Sequence, residues 1–263
     1  MKKNDVLHGL KSAGFYLSQN KILMMDSGLK PGVSSFLCRR KSIHLQAKKP
    51  WGLLLQKINA YEELLSKFGE PSKYWPQWCA KNKSISEREK IVIGMILVQR
   101  TTWHNANIAL KNLKREALLS LHKIANLIDA DKLTKLIRPA GFFQSKPKRL
   151  IDICSFVEQE GGIKIMLKKD AKELRSKLLN IKGVGRETAD TILLYALDKP
   201  YFIIDEYTRR WANKMGFKGL KDYDEFQSFF QEELEQNVEL YQKLHALIII
   251  SQKGKEKSMM EIV

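Results

Sequence analysis

A lone aspartate in an apolar run is the residue of this sequence best suited to chemistry. In the stretch "YFIIDEYTRR", Asp205 directly follows Phe202, Ile203 and Ile204. A half-buried carboxylate can stabilise a developing positive charge, and it can orient or deprotonate water. Aspartate is also a preferred helix N-cap, and "DEYTRR" opens a helical pattern. The two roles are compatible, and we predict that Asp205 is catalytic.

A glycine-rich turn lies upstream of this aspartate, in "IKGVGRETAD". Gly183 and Gly185 can adopt positive φ, so that backbone amides approach an anion closely. The helical pattern from Arg186 onwards places the turn at a helix N-terminus, where free N–H groups and the helix dipole favour phosphate. The turn predicts an anion-binding backbone, although a lone GxG is also typical of a tight helix–helix connection.

The charge of the chain indicates what such a turn would bind. The 263 residues carry 46 Lys and Arg against 29 Asp and Glu, a net charge of +17, and the pI is about 9.7. This surplus favours a polyanionic partner, with nucleic acid first, over a merely soluble basic surface. The three cysteines lie far apart and form no CxxC pair, which argues against a disulfide framework and fits a reducing cytoplasm. We expect a cytoplasmic, nucleoid-associated protein with no membrane segment and no secretory signal.

The chain is predicted to divide near residue 50. Residues 1–49 carry ten Lys and Arg against two acids, and no helical or alternating period persists there. We predict a loosely ordered basic arm that adds non-specific DNA affinity, while a start at Met24 or Met25 explains this segment equally well. Residues 50–263 are predicted to form a helical domain.

Helical periodicity dominates this domain. A helix is predicted to end at Gly69, and Ser86 with Glu89 forms a capping-box pattern before the apolar run "IVIGMILV". Further helices are predicted around residues 103–113, 223–234 and 238–251. Strand-like alternation is nearly absent, so the predicted fold class is all-α.

Several of these segments together resemble a known family. Leu179, Ile181, "GVG", Thr188 and Ala189 resemble the helix-hairpin-helix motif of DNA-binding proteins, placed here at residues 179–190. The segments "ILVQRTTWHNANIAL", "LIRPAGFFQSKPKRL", "FIIDEYTRR" and "YQKLHALII" extend the likeness over roughly residues 53–252. They are similar to the endonuclease III superfamily of DNA glycosylases, which implies a two-lobed helical fold acting as a monomer.

The resemblance also implies roles for individual residues. Asp205 matches the catalytic aspartate, and Gln99 lies where the family inserts a side chain into the base stack. The hairpin would bind DNA, and its carbonyls could hold a monovalent cation. The DNA-binding residues implied at the hairpin are Ile181, Lys182, Gly183, Val184, Gly185 and Arg186.

Two departures from the superfamily narrow the expected chemistry. Glu187 stands where bifunctional members carry the lysine that forms a Schiff base, and a glutamate cannot form an imine. Lys182 is a weak substitute because it belongs on the other side of the turn. The C-terminal segment contains no cysteine, so the four-cysteine iron–sulfur cluster of many relatives cannot be built. We therefore expect a monofunctional glycosylase with no iron–sulfur cluster, no metal and no other cofactor.

Aromatic residues suggest where a flipped base would bind. In this region the chain resembles the 3-methyladenine DNA glycosylases, the branch of the superfamily that lacks the iron–sulfur cluster and removes alkylated purines. The residues that carry this resemblance are Tyr74, Trp75, Trp103 and Glu187. Aromatic faces suit a flipped base, and a cationic methylated purine adds cation–π attraction, although tryptophans more often fill the core. His245 is predicted to be a packed helix residue.

Two other functions stay open at this point. One is an endonuclease III-like glycosylase and abasic-site lyase for oxidised pyrimidines, which Glu187 and the missing cysteines oppose. The other is a non-catalytic helix-hairpin-helix DNA-binding protein, which Asp205 opposes because a carboxylate close to phosphates repels them.

Overall fold

The computed structural model describes residues 60–76, 78–217, 219–233 and 236–254, together with the backbone of two short strands near the N-terminus. Contacts divide the chain into residues 1–44 and residues 45–263. Strands β1 (Phe15–Ser18) and β2 (Lys21–Met24) form an antiparallel hairpin with Phe15 opposite Met24. The prediction of no regular element in this arm was wrong at these positions, where Phe15, Tyr16 and Ile22 favour a strand. The predicted boundary at residues 49 and 50 stays a prediction.

The larger unit is all-α over its described residues, as predicted. It contains a helix α1 over residues 60–68, a π-helical turn at Ile192–Ala196 and short 3-10 turns at Pro71–Lys73 and Arg138–Ala140. The remaining helices are α2 (Ile85–Leu97), α3 (Trp103–Arg115), α4 (Leu121–Ala125), α5 (Ala130–Ile137), α6 (Lys146–Gln159), α7 (Ile163–Met166), α8 (Ala171–Leu179), α9 (Arg186–Thr191), α10 (Glu206–Lys214), α11 (Tyr223–Glu233) and α12 (Val238–Lys253).

Helix α2 runs through the core, as its uniformly apolar sequence predicts. Every residue from 91 to 97 is buried. The predicted capping box is displaced by two residues, because Ser84 and Glu87 form it instead of Ser86 and Glu89. The Glu87 amide donates to Ser84 Oγ at 3.3 Å, and the Ser84 amide donates to Glu87 Oε2 at 2.7 Å. The pair satisfies two otherwise unpaired N–H groups and starts the helix one turn before its apolar run.

A buried polar network attaches the hairpin helices to α11. Asp190 of α9 is fully buried and accepts two hydrogen bonds from the Arg175 guanidinium, at 2.6 and 3.0 Å. The Tyr223 hydroxyl and the Gln227 amide donate at 2.8 and 2.7 Å to its Oδ2, the oxygen that the longer Arg175 hydrogen bond also reaches. A buried carboxylate is stable only when it is paired and hydrogen-bonded in this way. The network therefore fixes α8, α9 and α11 around the hairpin.

Candidate active site

The predicted hairpin turn connects α8 to α9. Gly183 has φ +88°, whereas Gly185 has φ −91° and is the N-cap of α9, so the expectation of positive φ held for only one of the two glycines. A Cβ at Gly183 would lie 2.7 Å from the Arg149 side chain. Val184 is buried and Ile181 packs against the core, which fixes the turn to the helical body.

The polar and charged residues of the turn face solvent. Lys182 and Arg186 are exposed, and Arg186 forms an ion pair with Asp224 of α11 at 3.0 Å. Lys182 lies before the turn and Glu187 after it, on different sides of the hairpin. The turn therefore presents backbone and basic side chains together on one exposed edge.

Gln99, which follows α2, lies directly on the hairpin. Its Nε2 donates to the Gly183 carbonyl at 3.0 Å and lies 3.2 Å from the Thr188 hydroxyl. Its Oε1 accepts a hydrogen bond from Arg149 at 3.2 Å. The structure thus joins two predicted DNA-binding elements, and it adds Arg149, which sequence reasoning missed.

Lys146 of α6 is a second residue that the sequence did not single out. Its side chain is fully buried, and its Nζ donates to the carbonyls of Leu97, Gln99 and Ala140 at 2.9, 3.0 and 2.6 Å. Burial, with a contribution from the Arg149 charge, lowers the pKa of Lys146 to about 8. An ammonium group has three donors, and each meets a carbonyl here.

Asp205 is the N-cap of α10. Its Oδ1 accepts a hydrogen bond from the Thr208 amide at 2.7 Å, and its Oδ2 lies 3.4 Å from Nε2 of His245. The side chain is 13% exposed. Burial opposes the charged form, but the His245 ring and the Thr208 contacts outweigh it and hold the pKa of Asp205 below its usual value. The carboxylate is therefore ionised at neutral pH beside a partly open surface.

His245 connects this carboxylate to the core. It lies on α12 and is buried, and its Nδ1 is 2.9 Å from the Tyr195 hydroxyl. That hydroxyl also donates to the Gln242 carbonyl at 3.1 Å. The prediction that His245 is a packed helix residue was right about its burial and missed its contact with Asp205.

Glu187 lies close enough to Asp205 for their charges to interact. Burial of its carboxyl group, followed by the negative charge of Asp205, raises the pKa of Glu187. The charges of His245 and Arg209 act in the opposite direction. Two carboxylates beside one another make this part of the surface attractive to a cation.

The predicted base-pocket aromatics extend behind this carboxylate pair. Trp75 lies edge-on to His245 with ring centroids 6.3 Å apart, and Trp78, which is not one of the predicted pocket residues, lies between Tyr195 at 5.2 Å and Trp103 at 5.3 Å. Trp75 and Trp78 are nearly fully buried, whereas Trp103 is half-buried against Gly94. The buried Nε1 of Trp103 has no hydrogen-bond partner among the described residues.

Tyr74 stands apart from these rings. Its hydroxyl donates to the Phe68 carbonyl at the end of α1, at 3.2 Å, and no ring contact joins it to the other aromatics among the described residues. Sequence proximity to Trp75 suggested a shared pocket, but adjacent side chains in this turn point to different neighbours.

One exposed aromatic was also missed. Phe142 is 47% exposed and has φ +49°, in the loop before α6. The Arg100 guanidinium lies 5.9 Å from its ring centroid. A phenylalanine in the left-handed region of φ is uncommon. This backbone strain marks Phe142 as a residue of functional interest.

The described residues contain no group of three or more His, Cys, Asp or Glu side chains that could hold a metal ion. At the hairpin, the Gly183 carbonyl accepts a hydrogen bond from Gln99, and the Ile181 carbonyl accepts one from the Val184 amide at 3.0 Å. Each of these carbonyl oxygens keeps a second lone pair. None of the described helices is both long and apolar enough to cross a membrane.

The described residues form a basic helical body. It carries a glycine hairpin at one helix N-terminus and a capping carboxylate on the next helix, and these features together define a helix-hairpin-helix DNA-processing protein. The family model of HhH-GPD superfamily base excision DNA repair proteins matches residues 93–239. The chain belongs to this superfamily, and it is a DNA glycosylase that acts in base excision repair.

Individual relatives agree with this membership. A protein of Methanocaldococcus jannaschii, itself named a DNA repair glycosylase by inference, is 44% identical over 193 residues, which cover 72% of this chain and 83% of that protein. The endonuclease III of Thermotoga maritima is 28% identical over 137 residues, covering 52% of this chain and 61% of that protein. The structure of the H. pylori 3-methyladenine DNA glycosylase MagIII, bound to 1,N6-ethenoadenine, has a TM-score of 0.61 and 27% identity. That likeness covers 76% of this chain and 97% of MagIII.

Proposed function

We propose that this glycosylase is monofunctional and excises alkylated purines from double-stranded DNA, with 3-methyladenine as the main substrate. The observation that carries the proposal is the pair Glu187 and Asp205. A carboxylate stands at the start of α9, where a lyase would need an amine, and its charge interacts with the second carboxylate at the start of α10. A glutamate cannot form an imine with the sugar, so water is the nucleophile.

Asp205 supplies the chemistry in this proposal. Breaking the glycosidic bond leaves positive charge on the sugar, and a fixed carboxylate stabilises that charge. The Thr208 amide holds Oδ1, so Oδ2 is the oxygen left to face the sugar and the attacking water. The low pKa of Asp205 keeps it charged at neutral pH.

The lesion preference follows from charge and aromatic surface. A 3-methyladenine base is cationic in DNA, so its glycosidic bond is already weakened and two carboxylates attract it. Trp103 is the half-buried ring of the aromatic group, whereas Trp75 and Trp78 are buried, so Trp103 is the ring that we place beside a bound base. Trp75 supports the His245 side of the site. Tyr74 has the weakest case for a place in the base pocket because its hydroxyl is committed to α1.

DNA would be held by the hairpin. Exposed Lys182, Gly183 and Gly185 can approach a backbone phosphate. Gln99 would leave its hairpin contact to fill the gap of a flipped base, and the exposed ring of Phe142 offers a stacking surface on the same side. A monovalent cation could bind the hairpin carbonyls, and no iron–sulfur cluster is expected.

The relatives offer support for two lesion classes. MagIII is by name a 3-methyladenine glycosylase, and its likeness covers nearly its whole chain. The second candidate, an endonuclease III-like enzyme for oxidised pyrimidines with lyase activity, is favoured by the relatives named endonuclease III. Glu187 opposes that candidate. A purely DNA-binding role is set aside by the membership in a glycosylase family.

Base release from a panel of damaged duplexes tests the proposal. We expect release of 3-methyladenine and weaker release of 7-methylguanine and hypoxanthine. Thymine glycol and uracil should remain in the DNA, and the abasic strand should stay intact until alkali is added. Efficient release of thymine glycol with strand nicking, and none of 3-methyladenine, would establish the second candidate instead.

A further inference from the structure

The hydrogen bonds of His245 leave one of its nitrogens for Asp205. Nδ1 lies 2.9 Å from the Tyr195 hydroxyl, and Nε2 lies 3.4 Å from Oδ2 of Asp205. Nε2 has no hydrogen-bond partner among the described residues, so its contact with Oδ2 at 3.4 Å is an electrostatic one. The ring is buried beneath the carboxylate, so anything His245 does to the reaction passes through Asp205.

The protons of this chain can be counted. The Tyr195 hydroxyl has a single proton and lies between Nδ1 of His245 and the Gln242 carbonyl, which can only accept. When the hydroxyl donates to Gln242, Nδ1 must donate to the hydroxyl. Two states of Nε2 are then possible. If Nε2 carries the second proton of the ring, the ring is cationic; if it carries none, its lone pair faces the carboxylate, which is unfavourable.

A second arrangement needs only a rotation of the Tyr195 O–H bond. The hydroxyl then donates to Nδ1, and a neutral ring keeps its proton on Nε2, the nitrogen that lies 3.4 Å from Oδ2 of Asp205. The heavy atoms stay in place in both arrangements. The first gives Asp205 a cationic neighbour and the second gives it the N–H dipole of a neutral ring.

These two arrangements affect a cationic sugar differently. A cationic ring 3.4 Å from Oδ2 cancels part of the carboxylate charge, whereas a neutral ring orients the carboxylate and leaves its charge available. We propose that His245 is a positioning residue that sets the effective charge of Asp205, and that Tyr195 decides which nitrogen of the ring carries the proton. The inference rests on the proposed function of Asp205, and it goes further by making transition-state stabilisation depend on pH.

Other groups around the ring could also titrate. Glu187 acts on both His245 and Asp205, and Arg209 acts on Glu187. Cys79 and Asp205 act on Tyr195, whose buried hydroxyl has its pKa raised well above the usual value, chiefly by burial. Burial also raises the pKa of Cys79 to about 12, so neither Cys79 nor Tyr195 loses its proton near neutrality. Glu187 is the group that must be separated from His245 experimentally.

The test measures binding rather than excision, so it does not depend on the identity of the lesion. One duplex contains a pyrrolidine nucleotide, a cationic mimic of the sugar, and the matched duplex contains neutral tetrahydrofuran. The quantity measured is the ratio of the two dissociation constants between about pH 5.5 and 8, the range in which histidine ordinarily changes charge. The secondary amine of the pyrrolidine remains protonated throughout.

We expect the wild-type preference for the cationic duplex to rise about tenfold across this range. His245→Gln keeps an amide donor for Asp205 without a titrating ring, so its preference should not change with pH. Glu187→Gln removes a carboxylate that attracts the cation, so its preference should be lower at every pH but should still rise across the range. Tyr241→Phe, one turn away on α12, removes a buried hydroxyl that has no partner among the described residues and should behave as wild type.

The outcomes separate the two proposals. A wild-type preference that rises with pH, together with no release of alkylated purines, would refute the proposed lesion and leave the role of His245 standing. A rise that persists in His245→Gln, or that disappears in Glu187→Gln, overturns the inference. If His245→Gln does not fold, Tyr195→Phe serves instead: the pH at which the preference rises must move, and an unchanged profile overturns the inference equally.

Discussion

Replacing Asp205 with asparagine should separate the catalytic role that we propose for this residue from its structural role. Asparagine is nearly isosteric and caps helices as well as aspartate does, so the hydrogen bond from the Thr208 amide should remain. We expect the free energy of unfolding to fall by less than about 1 kcal/mol. Excision should fall by about a hundred- to a thousandfold, the loss typical when a fixed charge-stabilising group is removed.

Asp205→Ala is the matched comparison. It removes the same charge and also the cap, so it should be as inactive as the asparagine variant and less stable by about a further 1 kcal/mol. Single-turnover base release and urea unfolding of the three proteins measure the two effects independently. An asparagine variant that excises at near wild-type rate would refute the catalytic assignment. A variant that loses as much stability as the alanine form would show that the carboxylate, rather than the cap geometry, holds α10.

The same comparison has a defined pH dependence. The pKa of Asp205 is lower in the folded protein than its usual value, so the folded state favours the ionised form. This contribution to stability is fully present above the ordinary aspartate pKa of about 3.9 and is lost as the pH falls through the folded value. Any stability advantage of the wild type over Asp205→Asn should therefore shrink in acid as the pH falls through the folded pKa of Asp205, and a constant difference down to the acid transition would contradict the pKa direction.

Three further predictions concern the surroundings of this residue. Trp103→Ala should reduce excision of alkylated purine by about ten- to a hundredfold and leave binding to undamaged duplex nearly unchanged, because phosphate contacts dominate that binding. Since Trp103 also packs on Gly94, urea unfolding must accompany the assay, and an unfolded variant would assign the ring to the core. The protein should not be trapped on DNA by borohydride, because Glu187 offers no amine; trapping that is lost in Lys182→Ala would show a lyase nucleophile on the other side of the turn. Tyr241→Phe should leave the protein as stable as before or more stable by up to about 1 kcal/mol in urea unfolding, since an unpaired buried hydroxyl is costly, and a clear loss would mean that the hydroxyl has a partner.

Local sequence patterns predicted the helices well because each helix carries its own signals. The α6 helix, for example, ends just before a glycine pair, and Gly161 and Gly162 have φ of +88° and +80°. The capping box failed by two residues because Ser84 and Ser86 offer the same pattern, S-x-x-E, in overlapping positions. Which serine caps the helix depends on its position relative to the buried face. The Glu89 carboxylate does not close a box with Ser86 and instead accepts a hydrogen bond from the Leu121 amide of α4 at 3.3 Å.

The catalytic site was predictable only in part, for a similar reason. Asp205 is conspicuous because a charged residue interrupts an apolar run. His245 lies among buried apolar residues of α12 and matches the pattern of a packed helix, so nothing near it in the sequence indicates Asp205. Their contact depends on how α10 packs against α12. The same holds for Arg149, which reaches Gly183 only because α6 passes the hairpin.

A buried charge holds the backbone around Gln99. The three carbonyls bound by Lys146 belong to the end of α2, the turn that follows it and the Arg138–Ala140 turn that precedes Phe142. With the carbonyl of Gln99 fixed in this way, its side chain can leave the Gly183 carbonyl and Arg149 by rotation alone, and the turn need not move. Releasing Gln99 then breaks its hydrogen bonds with the Gly183 carbonyl and Arg149. The cost is small, because water can take the place of Gln99 at both groups. A rigid backbone carrying a loosely held side chain is what insertion into a base stack requires, because only the inserted group has to change conformation.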